Sequence, residues 1–83
     1  MDRPSLSITY TSGTVKELTI AAPDIIAFER KYDLPMESVE RFEHLCFLAW
    51  NGETRTNATT LDFDAWLATV EMVALADPKG SSL

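Results

Sequence analysis

The chain has 83 residues, 46% of them hydrophobic, with thirteen acids against seven bases and a net charge of −6. That length holds one small domain and excludes a second core, while the apolar content excludes a chain that is mainly disordered. The bases (Arg3, Lys16, Arg30, Lys31, Arg41, Arg55 and Lys79) are scattered, and the longest apolar run is Leu45 to Trp50; no stripe follows a phosphate backbone and no segment spans a bilayer, so neither nucleic acid nor membrane is expected as a partner.

The opening MDRPSLSITY lacks the apolar stretch of a signal peptide, so a cytoplasmic setting is expected. Leu6, Ile8 and Tyr10 alternate with Ser7 and Thr9, and Leu18 and Ile20 share a face further on. This period of two predicts a β-hairpin over residues 5–20. A two-residue loop at Ser12-Gly13 would place Ile8 opposite Glu17. A three-residue loop over Ser12 to Thr14 would place Ile8 opposite Leu18 and Leu6 opposite Ile20, keeping the apolar faces together; that register is the expected one.

Pro23 and Asp24 suit the first turn of a helix, and Ile25, Phe28 and Tyr32 then recur at helical spacing, predicting a helix over 23–33. Pro35 stops it and can open a second helix over 35–51, carrying Val39, Phe42, Cys46, Ala49 and Trp50. Asn51-Gly52 reads as its stop. After the polar stretch Glu53 to Thr60, the run Phe63, Trp66, Leu67, Val70, Val73 and Ala74 predicts a third helix over 61–76, leaving 77–83 as a tail. The expected architecture is one α+β domain, an N-terminal β-hairpin packed on three helices.

At about 100° per residue, the apolar stripe of the second helix covers an arc of about 140°, with Glu37, Glu40, Arg41 and His44 opposite. Phe47 and Leu48 fall outside the stripe, among the charges. Two readings follow. If the second helix is central, core wraps around it and both are internal. If not, they form an exposed patch that a second chain must cover. Trp50 and Trp66 carry the same ambiguity: each fits a core stripe, and tryptophan also dominates interface hot spots. Phe47, Leu48, Trp50 and Trp66 are therefore the candidate partner-binding residues.

Catalytic chemistry is not expected. His44 and Cys46, the single histidine and cysteine, lie two apart and so point about 200° away from each other on a helix. Asp62 and Asp64 suit a helix start better than an acid–base pair. One imidazole beside scattered glutamates is a weak metal signal, and the three separate glycines make no phosphate loop. Neither cofactor nor metal is expected.

The order of parts, a short hairpin followed by DIIAFERKYDLPMES, then FLAW, then LDFDAWLATVE, resembles the tail assembly chaperones of long-tailed phages of actinobacteria. The likeness runs over about residues 5–75 and rests on Phe28, Glu29 and Arg30, Phe47 to Trp50, and Phe63, Trp66 and Leu67. It implies a non-enzymatic protein that coats the apolar tape-measure protein in the host cytoplasm during assembly, with a form extended by ribosomal frameshifting near the C-terminus. The alternative is a small capsid or tail accessory subunit that stays in the virion. Either implies other phage structural proteins, or further copies of the chain itself, as partners.

Overall fold

In the computed structural model, which describes residues 5–76, three strands form one layer and three helices the other. Strands β1 (Ser5–Tyr10) and β2 (Val15–Thr19) form the expected hairpin. A third strand, β3 (Val70–Ala76), lies along the other side of β1, giving an antiparallel sheet of order β2-β1-β3. Helices α1 (Ala22–Tyr32), α2 (Phe42–Arg55) and α3 (Phe63–Leu67) supply the second layer. The α+β class and the hairpin packed on helices are as the sequence predicts. The proposed tail over 77–83 lies outside the described residues.

The hairpin loop does have three residues, but they are Thr11 to Gly13, one place earlier than expected. Tyr10 N–H donates to Thr14 O at 2.8 Å, and Gly13 takes φ +95°. Glycine alone adopts that angle freely, and a three-residue loop wants it at its last position. Leu6 therefore faces Leu18, and Ile8 faces Lys16 rather than Leu18. A lysine on the inner face is tolerated because its Nζ meets the Glu53 carboxylate at 2.8 Å. Pairing apolar faces chose the right parity of the loop; Gly13 with its positive φ at the last loop position accounts for the offset.

Helix α1 opens with the Asp24 carboxylate accepting from Ala21 N–H at 3.0 Å, and closes on Asp33 in the left-handed region. The predicted 35–51 helix is wrong at both ends. Met36–Ser38 is a single 3-10 turn, after which Val39 and Arg41 are extended. At the far end Asn51-Gly52 does not stop α2. Gly52 lies where the helix meets β2, and a Cβ there would stand 2.6 Å from Leu18 Cδ2. Its missing side chain serves close approach, not termination, and the left-handed turn falls instead at Asn57.

The predicted third helix over 61–76 is the largest correction. Asp62 caps a short helix by accepting from Ala65 N–H at 2.8 Å. The chain then turns at Thr69 and becomes β3, pairing Ile8 with Val73 and Leu6 with Leu75. A bulge at Glu71 brings Val70 opposite Tyr10. Without β3, β1 would present an unpaired edge, and seven residues rich in β-branched and apolar side chains complete its ladder.

The core lies between the layers. Leu6, Ile8, Leu18 and Val73 project from the sheet, and Phe28, Cys46, Phe47, Leu48, Ala49 and Trp66 from the helices. Among the described residues, no helix is long and apolar enough to cross a membrane.

Candidate functional site

Helix α2 is central: it packs on α1, α3 and all three strands. Of the two readings for Phe47 and Leu48, internal burial holds. Phe47 is 6% exposed and Leu48 is fully buried within the chain itself. No exposed patch exists at these positions, and the expectation of one is corrected. With partners on every side, α2 needs more than a single apolar stripe, so residues among the charges at its N-terminal turns become core further along. Trp66 is likewise core, its ring sealed and its Nε1 donating to Glu53 at 2.8 Å.

Trp50 alone of the four reaches the surface. Its ring is half-buried, 5.9 Å from Phe47 and edge-on to Phe63 at 5.7 Å, and its Nε1 donates to Leu61 O at 2.9 Å. Phe63 is also half-buried and Leu61 is exposed. Trp50, Leu61 and Phe63 thus form an apolar surface where α2 meets the segment entering α3. Its inner side is fixed by a run of rings continuing through Phe47 to Tyr32 and through Phe63 to Trp66. Leu61 escaped the sequence reading, although a leucine between Thr60 and Asp62 is the kind of isolated apolar residue that marks such a surface.

Two buried carboxylates also escaped it. Glu53, the first residue of the polar stretch that follows the predicted second helix, sits in α2 and is 3% exposed. It accepts from Tyr10 Oη and Trp66 Nε1 and pairs with Lys16, joining β1, β2 and α3 through one side chain. Burial pushes its pKa up, but hydrogen bonds from Lys16, Trp66 and Tyr10 and the charge of Lys16 outweigh this and hold it below the ordinary 4.5. Burial beside that carboxylate raises the Tyr10 phenol. Asp24 is fully buried and accepts from Arg55 through both oxygens (3.0 and 2.8 Å) and from Asn51 at 2.8 Å. Burial again acts upward, and Arg55, the Ala21 N–H and Asn51 together bring its pKa below 3.8. Both groups have filled hydrogen-bond shells, so they act as struts.

His44 and Cys46 are not brought together for chemistry. His44 Nδ1 accepts from the N–H groups of Glu40 and Arg41 at 3.3 and 3.4 Å, so its ring caps the start of α2. That ring packs edge-on against Tyr32 at 4.7 Å. Beside it an open cleft of about 500 Å³ is lined by Tyr32, Glu40, Arg41 and Glu43. The Tyr32 phenol there is pushed up to about 12 by burial and by Glu43, and holds its proton at neutral pH. The Cys46 thiol is buried, and burial with the nearby Glu43 pushes it up to about 11. Native protein at pH 8 is therefore expected to react with a thiol reagent at least about a hundredfold more slowly than protein unfolded in urea; equal rates would mean the thiol is open. Among the described residues no group of three or more His, Cys, Asp or Glu could hold a metal ion.

These features define a small two-layer α+β domain whose buried carboxylates, Asp24 and Glu53, tie its layers together and which carries an apolar surface at Trp50, Leu61 and Phe63. No protein-family model, curated protein or solved structure matches the chain.

Proposed function

We propose that this protein is a non-enzymatic assembly factor of a long-tailed phage, a tail assembly chaperone that binds the apolar tape-measure protein in the host cytoplasm. The observation that carries this reading is the Trp50–Leu61–Phe63 surface, an aromatic anchor left half-open beside an exposed leucine. The likeness of DIIAFERKYDLPMES, FLAW and LDFDAWLATVE to that family supplies the client. A leucine or phenylalanine passing from water to full burial contributes about 1.5–3 kcal/mol. One such contact is weak, but many copies along a long client add through effective concentration. The net charge of −6 favours solubility of the unbound protein.

Leu61→Glu tests the reading, because Leu61 is exposed and its carbonyl still accepts from Trp50. Co-expressed with the phage's tape-measure protein, the natural chain is expected to keep it in the supernatant and Leu61→Glu to let it precipitate, with the variant's melting temperature unchanged. Equal precipitation with both chains would sink the proposal. Mass spectrometry of purified virions separates the alternative: the chain at high copy number would make it a capsid or tail subunit instead of a chaperone.

A further inference from the structure

We infer that two copies of this chain pair through β3, antiparallel about a twofold axis at Val73, to make one continuous six-stranded sheet. The two free edges of the sheet differ. Strand β2 is five residues long and carries Lys16 and Glu17, the charged and short character that keeps an edge from pairing. Strand β3 is seven residues long, VEMVALA, with one charge at its second position. Among the described residues, no further strand pairs with its outer edge.

Its exposed side chains say what kind of partner fits. Met72 is 52% exposed and Leu75 61%. Met72 pairs with Thr9 on the outer face of the sheet, whereas Leu75 pairs with Leu6 on the inner face. A helix or sheet laid on either face would cover one and leave the other. A strand added beside β3 covers both, and its backbone meets the free N–H and C=O groups of the edge.

The strand is also its own complement. Rotation about Val73 sets Met72 opposite Ala74 on the outer face, a large side chain against a small one, in both halves of the interface. Glu71 falls opposite Leu75, so the two Glu71 carboxylates sit at opposite ends and no like charges face each other. Because the axis is perpendicular to the sheet, both helical layers lie on one side of the joined sheet. Strand pairing alone makes a small interface, so the affinity is expected to be modest, on the order of 10 μM. The inference does not depend on the chaperone reading.

Sedimentation equilibrium of the full chain is expected to show a dimer at about 100 μM that dissociates on dilution. The double variant Met72→Lys, Leu75→Lys is expected to raise the dissociation constant by at least about tenfold. Val15→Lys, at a similarly exposed site on the β2 edge, should leave it unchanged. A mixture of Met72→Cys and Ala74→Cys chains should be joined by a short thiol cross-linker, with the buried Cys46 silent. A natural chain that stays monomeric, a lysine variant that dimerises as before with its melting temperature kept, or a mixed pair that does not link would each overturn the inference.

Discussion

Glu53→Ala is expected to lower the unfolding free energy by about 3–5 kcal/mol, the cost of breaking a buried charged network by removing one member. In a domain whose total stability is about 5–10 kcal/mol that loss leaves a large unfolded fraction at room temperature. The parts are unequal. Lys16 is 41% exposed along its side chain, so its ion pair is screened by water and contributes at most about 1 kcal/mol. Most of the loss comes from Trp66 Nε1, which is buried and has no water to turn to, and from the half-buried Tyr10 hydroxyl. Glu53→Gln keeps an acceptor for one of the two and should lose about half as much. Urea denaturation followed by tryptophan fluorescence measures both; a loss below about 1 kcal/mol for Glu53→Ala would show that the strands and α3 are held without this strut.

The second large effect concerns Asp24 and Arg55, and the two partners should not be equivalent. Arg55→Ala leaves a carboxylate at 0% exposure with only Asn51 and the Ala21 N–H to satisfy it, and is expected to cost about 3–5 kcal/mol. Asp24→Ala leaves a guanidinium that is already 31% exposed and can swing into water, so a smaller loss, about 2–3 kcal/mol, is expected. The reverse order would mean that Asp24 is not the buried member that governs the pair.

Acid titration gives the same network a second readout. Both carboxylates have folded pKa values depressed below their ordinary 3.8 and 4.5. Their contribution to stability is therefore complete above pH about 5 and is lost as pH falls through the folded values. Removing the Arg55 charge raises the Asp24 pKa, so Arg55→Ala should begin acid unfolding at higher pH than the natural chain. Coincident acid transitions would show that the ion pair does not set the Asp24 pKa.

Periodicity carried different weight in different segments. In the hairpin, Leu6 and Ile8 alternate with Ser7 and Thr9 in a way that only a strand explains, and the structure places those apolar residues inward. In residues 63–76 the positions Phe63, Trp66, Leu67, Val70 and Val73 satisfy a helix, yet Val73 and Leu75 also satisfy a strand. The choice between them belonged to β1, whose free edge lies more than sixty residues back along the chain. Asn51-Gly52 misled for a related reason. Asn51 is bonded to Asp24 and Gly52 admits Leu18, so contacts with α1 and β2 override a local stop signal. The candidate surface was legible only through Trp50; Phe47 and Leu48 were misplaced because a helical wheel shows which residues share a face, not how many faces have neighbours.

Composition and local pattern alone determined a small α+β domain, the faces of its hairpin and the start of its first helix, because each depends on chain length or on residues close together in sequence. Tertiary structure decided that 70–76 is a strand, that α2 runs on to Arg55, that Phe47 and Leu48 are sealed while Trp50 stays half-open, and that Glu53 and Asp24 are struts. Each of those outcomes turns on a hydrogen bond or a packing contact between residues far apart in the chain, whose free energy no local window contains.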